Sequence, residues 1–536
     1  RPNHCCGNSS VEAPTSINSL SVPDALRQNA KRHAGAPAIV FGGKALDFQT
    51  VDALSDRVAA GLHARGIRKG DRVALYCINS DFFALAYFGI QKAGATVVPI
   101  NLLLNPKEIN YILKDSGAKA MIYFEAFAGN VKAATENIKL LGRACIGANK
   151  ADENDLLWPE LLSDDKAPDI TFNPKEDVAA ILYTAGTTGH PKGAMLTHTN
   201  LVSNAWSVSQ ALPLEPGKDS ILLVLPMFHA FAATAGMLYS MLHGICVIPL
   251  PRFEPHETAK ALAATKASMF MGVPSMYNVM LHLPDECTEM LSSLKYCISG
   301  GAAMPVEVMK AFEKRYGKLI YEGDGPTECS PVTCVNPIGG KRKPASVGLP
   351  VPLVKMMIMD DTGREVPHGS IGEICVRGPN VMKGYWNQPE ETAASFFGEW
   401  FRTGDLGTED DEGYFCIVDR KKDMLIVNGM NVYPRVVEEV LYQFEPIREA
   451  AVIGEPHELH GEIPVAYVAL KEGRKATAND VRNFCRSNLG RYEVPRKVFF
   501  MDALPKNAAG KIMKRELRKH GELERGIDSR KKEPRT

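Results

Sequence analysis

Residues 221–250 contain no Asp, Glu, Lys or Arg. A run of that length either crosses a bilayer as one helix or occupies the centre of a large core. Pro226, His229, Gly236, His243, Gly244 and Pro249 interrupt it. With those breaks the run reads as a strand, a short helix and a second strand, buried in protein rather than lipid. A core of that kind needs a large assembly around it. The chain is long enough, because 536 residues exceed what one hydrophobic core accommodates, and two or more structural units are expected. Hydrophobic residues at 45% and charged residues at 23% exclude a disordered or fibrous chain.

Periodicity supplies the layers. Residues 72–78 have the pattern of a strand, 81–93 of a helix stopped by Gly94, and 95–100 of a second strand, which together make a βαβ unit. Residues 105–116, stopped by Gly117, and then 120–124 repeat the helix-then-strand order, so a mostly parallel sheet covered by helices is expected. Pro and Gly cluster over 336–352, after which shorter strands at 354–359 and 372–377 indicate a β-rich subdomain. A strand at 414–418 is followed by the charged run Asp419, Arg420, Lys421, Lys422 and Asp423, which by itself reads as a solvated turn. The rest, to about His520, suits a compact α+β domain.

The expected fold class is therefore α/β. A large N-terminal domain of doubly wound αβα layers spans residues 20–418 and includes a β-rich subdomain at about 337–418. A small α+β C-terminal domain follows at 424–521. Residues 1–19 and 522–536 read as a disordered start and a polar tail.

Lys plus Arg and Asp plus Glu number 62 each, so no global field would gather nucleic acid, and any phosphate chemistry is local. The 12 cysteines, among them Cys77, Cys246, Cys297 and Cys375, lack zinc-type spacing or a disulfide framework, which suits a reducing compartment such as the cytoplasm. Cys5 and Cys6 stand in a polar start and receive no role. The first 30 residues have no apolar segment of a secretory signal.

Residues 177–184 form an apolar strand pattern, followed by Ala185, Gly186, Thr187, Thr188, Gly189, His190, Pro191, Lys192 and Gly193, with a helical pattern from near Thr199. A Gly- and hydroxyl-rich loop after a strand brings backbone N–H groups and hydroxyls close to an anion, and Lys192 adds a point charge. The P-loop pattern requires Gly-Lys followed by Ser or Thr. Here Lys192 follows Pro191 and precedes Gly193, so this is a different phosphate loop.

The stretch YTAGTTGHPKG resembles the signature of the adenylate-forming superfamily, which includes acyl-CoA synthetases, nonribosomal adenylation domains and luciferases. The resemblance runs from about Leu20 to about His520 and rests on four motifs in order. In YEGDGPTECS, Thr327 and Glu328 match the family's Thr-Glu pair. Glu328, with Thr184 nearby, would hold Mg²⁺, since hard cations take oxygen ligands, and Thr327 would contact the α-phosphate or substrate carboxylate. Asp324 stands where relatives usually carry an aromatic residue against adenine. The base would instead be held by backbone around Gly301, Ala302 and Gly323. In WFRTGDL, Asp405 falls where the family binds both ribose hydroxyls, a task that suits a carboxylate. Arg420 matches a contact to ribose or phosphate, and Lys422 falls at the hinge, 419–423, about which the small domain rotates. In PKNAAGKIM, Lys511 matches the lysine that reaches the active site during adenylation.

The resemblance implies ATP-dependent activation of a carboxylic acid to acyl-AMP, with Mg²⁺, and then transfer to coenzyme A as cosubstrate. Gly429 would lie on the face presented to the thiol. The acyl pocket would lie near His229, Phe231, Gly272, Val273 and Gly300. His229 falls where amino-acid-activating relatives place an Asp, which favours an acid without an amine. GVPSMY and GYWNQPEET look most like fatty acyl-CoA synthetases, so a medium- or long-chain fatty acid is expected. The alternatives are a fatty acyl-AMP ligase serving a carrier protein, an aryl-CoA ligase, a luciferase-like oxygenase and a non-catalytic binding module. Small molecules are the expected partners. A homodimer and peripheral membrane contact are compatible with the resemblance.

Overall fold

Asn105, Pro106 and Glu108 form a helix start whose chemistry is local. The Asn105 side chain accepts from the Glu108 N–H at 3.0 Å, and Glu108 returns a bond to the Asn105 N–H at 2.9 Å. Helix Pro106–Ser116 then ends at Gly117 with φ 61°, a left-handed cap that glycine adopts without steric cost. The computed structural model to which this helix belongs describes residue 14 and residues 17–184 and 190–521.

Strands Arg72–Tyr76, Thr96–Pro99 and Ala120–Phe124 pair in parallel, with helix Asp81–Lys92 between the first two. The βαβ unit is as expected, although its first strand stops at Tyr76. These strands belong to an eight-stranded sheet among the described residues, which continues through Val178–Thr184 and Lys192–Thr197 to Gly384–Tyr385. A nine-stranded sheet lies beside it in the same hydrophobic core. The uncharged run supplies two of its central strands, Ser220–Leu223 and Cys246–Pro249, joined through helical residues Phe231–Leu238 and Tyr239–His243. Charge is excluded there because both faces of the sheet are covered. Among the described residues no helix is long and apolar enough to cross a membrane.

Downstream, Lys355–Met359, Gly372–Arg377, Trp400–Glu409 and Phe415–Arg420 build the antiparallel β-rich unit. Asp419 and Arg420 of the charged run therefore end a strand, and only the residues after them turn. The C-terminal unit has its own sheet, including Ile447–His457 and Gly461–Leu470, covered by helices Pro434–Gln443 and Ala478–Asn488 over a separate core. The α/β class with a large N-terminal and a small C-terminal unit is as expected from the sequence.

One element escaped the sequence reading. Between the phosphate loop and helix His198–Ala211 stands strand Lys192–Thr197, antiparallel to Val178–Thr184 with Thr184 opposite Lys192. The expected helix therefore begins only after a second, antiparallel strand. Gly193 permits the pairing, since a Cβ there would lie 2.7 Å from Ile181 Cγ2.

Helix Asp81–Lys92 packs on helix Phe48–Ala64 through Gly89, where a Cβ would lie 2.4 Å from Val58 Cγ1. Lys92, fully buried at the end of that contact, is neutralised by Asp52 at 2.5 Å and Asp56 at 2.9 Å. Gly89→Ala is expected to cost about 1–3 kcal/mol by overpacking, read as a lower urea midpoint. An unchanged midpoint would mean that the two helices do not meet as closely as described.

Candidate active site

The carboxyl ends of parallel strands Met269–Gly272, Tyr296–Ser299 and Ile320–Asp324 open on one crevice, the position where α/β sheets bind ligands. Glycines let the walls close up there. A Cβ on Gly300 would lie 3.1 Å from Phe231 Cε1 and 3.4 Å from the Gly323 carbonyl oxygen. A Cβ on Gly301 would meet Val273 Cγ1 at 3.7 Å, and Gly300 N–H donates to the Gly272 carbonyl at 3.4 Å. The expected acyl-pocket residues Phe231, Gly272, Val273 and Gly300 are thus neighbours, with Gly301 and Gly323 beside them and Ala302 next in the chain.

The second wall is polar. Asp405 and Arg420 sit opposite each other on paired strands, and their side chains form an ion pair at 2.7 Å. Asp405 is 6% exposed. Burial pushes its carboxyl upward and Arg420 opposes the shift, while the nearby carboxyl of Asp324 adds to it. Asp324 is raised in the same way, chiefly by burial, against the charges of Arg420 and Lys511. So the residue standing in the aromatic position joins a charge cluster and offers no ring to stack on. Arg420 is held firmly protonated, first by Asp405.

Lys511 enters this cluster from the C-terminal unit. Its loop is closed by Asn507, whose side chain accepts from Lys511 N–H at 2.9 Å. The preceding Gly510 has φ 80°, and its carbonyl accepts from Ser275 Oγ at 2.7 Å. A Cβ at Gly510 would lie 2.9 Å from Val273 Cγ2, so only glycine lets the loop approach this closely. Burial, then Arg420, lowers the Lys511 pKa, and Asp405 and Asp324 work the other way.

His229 lies within reach of the same charge. Burial pushes its pKa down to about 4, with Lys511 adding to the shift, so the ring is neutral at pH 7. His229 and Lys511 are both enclosed by protein yet keep solvent-facing surface. Both lie in an open cleft, with Phe231, Val273 and Gly300 on one side and the Asp405–Arg420 pair on the other.

Glu328 and Thr327 occupy the short turn Thr327–Cys329. Glu328 Oε1 accepts from the Tyr385 hydroxyl at 2.8 Å. Thr184 ends its strand with Oγ1 donating to the Lys192 carbonyl at 3.4 Å, which leaves its lone pairs available. Among the described residues no group of three or more His, Cys, Asp or Glu could hold a metal by itself. One carboxylate and one hydroxyl fit an ion that takes the rest of its shell from phosphate and water, as Mg²⁺ does.

Lys192 is paired with Glu391, and its ammonium lies 5.3 Å from the centroid of the Tyr385 ring. Tyr385 and Glu391 are site residues the sequence reading passed over, although both lie in the quoted GYWNQPEET. Gly186, Thr187, Thr188 and Gly189 lie outside the described residues. Lys422 is exposed in the turn after Arg420, and Gly429, with φ 78°, is at an exposed hairpin tip between Leu425–Val427 and Met430–Val432. Neither stands in the cluster around Lys511.

Comparison with known proteins fits this geometry. A family model described as AMP-binding enzyme matches residues 26–386, and one described as AMP-binding enzyme C-terminal domain matches 436–511. The Long-chain-fatty-acid–CoA ligase of Bacillus subtilis (strain 168) is 39% identical over 526 residues, covering 92% of this chain and 93% of the relative. A Feruloyl-CoA synthase of an Amycolatopsis species is 36% identical over 493 residues, covering 92% and 97%. ATP-bound MatB from Rhodopseudomonas palustris is structurally similar with a TM-score of 0.86 at 31% identity, covering 94% of this chain and 99% of that one. Apo MatB, at the same identity and coverage, gives 0.75. With both family segments matched in order and the charged cleft lying between them, the chain belongs to the AMP-binding enzyme family.

Proposed function

We propose that this chain uses ATP to convert a long-chain fatty acid to acyl-AMP, releasing pyrophosphate, and then transfers the acyl group to coenzyme A, releasing AMP. The observation that carries the reading is Lys511, brought by one unit into the cleft that the other unit lines with Asp405, Arg420 and an apolar pocket. The substrate class is that of the Bacillus subtilis relative.

The acid is ionised at neutral pH and needs no general base. One of its oxygens attacks the α-phosphorus, the bond to the β-phosphate oxygen breaks, and pyrophosphate leaves. The chain supplies position and charge. Asp405 accepts both ribose hydroxyls, Arg420 stays charged beside it, and Thr327 and Lys511 meet the α-phosphate and carboxylate oxygens. Gly301, Ala302 and Gly323 bound the adenine from their backbone, with Asp324 at its edge. Thr184, Lys192 and the loop between them, with Gly186, Thr187, Thr188 and Gly189, receive the leaving pyrophosphate. Glu328 and Thr184 would hold Mg²⁺, which would supply charge neutralisation on the triphosphate. His229, neutral, offers no counter-charge to a substrate amine, and Phe231, Gly272, Val273 and Gly300 present an apolar wall to the acyl chain.

Lys511 fills the cleft that a thiol must enter to reach the same carbonyl. In this reading residues 424–521 therefore rotate against 20–418 about Lys422 in the hinge 419–423, and bring Gly429 to the thiol. The greater likeness to ATP-bound than to apo MatB supports assigning the present arrangement to the adenylation step. The ten described cysteines are all free, which goes with a reducing compartment such as the cytoplasm.

Lys511→Ala is expected to lower acid-dependent pyrophosphate release by about 10²–10³-fold, the scale of losing one transition-state charge partner. Thioester formation from supplied acyl-AMP would be largely retained, and equal loss of both half-reactions would refute this division of labour. In a panel of C8–C18 fatty acids and aryl acids with ATP, with and without coenzyme A, mass spectrometry should show a CoA thioester only when coenzyme A is present, with long-chain acids preferred. Preference for an aryl acid would move the reading toward the feruloyl-CoA synthase relative. Tyr385→Phe frees the Glu328 carboxylate, and calorimetry of ATP binding should then require several-fold more Mg²⁺, on the order of one lost charge-assisted hydrogen bond. Unchanged Mg²⁺ dependence would remove Tyr385 from the site.

A further inference from the structure

Lys192 is the charged residue of the phosphate loop, and it already has a partner. Its side chain is 13% exposed and its ammonium is paired with the Glu391 carboxylate, which is 43% exposed. The pairing is built into the hairpin. Strand Gly384–Tyr385 adds to the edge of Lys192–Thr197, with Tyr385 opposite Ala194. The Tyr385 N–H donates to Thr392 Oγ1 at 2.9 Å, which ties the short helix Pro389–Ala394, and Glu391 with it, to the same strand edge. The Ser395 hydroxyl donates to the Glu391 carbonyl at 2.7 Å. On the other side the Tyr385 ring faces the ammonium, and its hydroxyl holds Glu328. Lys192 thus stands between an external carboxylate and the place where phosphates would be held.

We propose that Glu391 is a built-in competitor for Lys192 that weakens pyrophosphate binding and so drives release of that product. The inference rests on the reading that Lys192 meets pyrophosphate. A single ammonium cannot serve both anions at full strength, so engaging pyrophosphate means loosening Glu391. A carboxylate left beside a multiply charged anion then repels it. When pyrophosphate dissociates, the ion pair re-forms. Both effects act on the same equilibrium in the same direction. Glu391 is a positioning residue in this scheme, since it acts through Lys192 and forms no bond to substrate.

The test is a titration of inorganic pyrophosphate with Mg²⁺ into the full-length chain by calorimetry, using wild type, Glu391→Gln, Lys192→Met and the double variant. Glu391→Gln should bind pyrophosphate more tightly, by about 5-fold, the effect of one partly exposed ion pair. It should also release pyrophosphate more slowly in multiple turnover, and Glu391→Asp should restore most of the wild-type affinity. A gain of affinity is not what a damaged fold produces. In the Lys192→Met background the Glu391 effect should shrink to less than about 2-fold, which isolates the coupling between the two residues. Unchanged or weaker binding in Glu391→Gln overturns the proposal, as does tightening that persists undiminished without Lys192. If Lys192→Met alone leaves pyrophosphate affinity unchanged, the placement of Lys192 on pyrophosphate fails first, and the competition with it.

Discussion

The ion pair of Asp405 with Arg420, on which the charges of Asp324 and Lys511 also act, is the constraint from which the rest of the site follows. Taking charge out of water is costly, and the buried Asp405 carboxylate is offset by Arg420 at 2.7 Å. Burial pushes both carboxyls up and the ammonium down, each toward its neutral form, and their mutual attraction resists both shifts. The cluster needs both units of the chain, because Asp405, Asp324 and Arg420 come from one side and Lys511 from the other. The charge environment of the site is therefore shared between the two units.

The sheets let backbone from several strands converge beside that ion pair. Parallel strands end together, and the crevice beyond their carboxyl ends is lined by Gly272, Gly300 and Gly323, so backbone and Phe231 approach where side chains would collide. Gly510 plays the same part on the incoming loop, where it lets Lys511 pass Val273 and Ser275. At one edge of the other sheet the strand Lys192–Thr197 collects Lys192 itself, the tyrosine that bonds Glu328 and the carboxylate that pairs with Lys192. Glu328 and Lys192 thus share one structural support, Tyr385.

Much of this architecture could be read from the chain. The βαβ unit followed from periodicity and from stop signals such as Gly94 and Gly117, which act within a few residues. The absence of charge over 221–250, broken by Pro226, Gly236, Gly244 and Pro249, was enough to read two buried strands around a short helix, because a sheet covered on both faces rejects charge whatever its neighbours are. The strand Lys192–Thr197 was not legible, because its partner across the hairpin, and not its own composition, makes it a strand. The Asp419–Asp423 run looked like a solvated turn for a related reason: pairing with Trp400–Glu409 draws its first two residues into a sheet. Tyr385 and Glu391 were passed over because neither residue type is distinctive until the fold carries it across to Glu328 and Lys192.

The sequence by itself determined the order of elements, the α/β class and the residue types available to a phosphate and acid chemistry, since these depend on local sterics, hydrophobic periodicity and motif spacing. Only the tertiary structure decided which charges face each other. Asp405 meets Arg420 through strand register, Lys511 joins them by the docking of a second unit, and Lys192 acquires Glu391 from a segment some two hundred residues away. Those encounters are set by long-range packing, which no local pattern in the chain encodes.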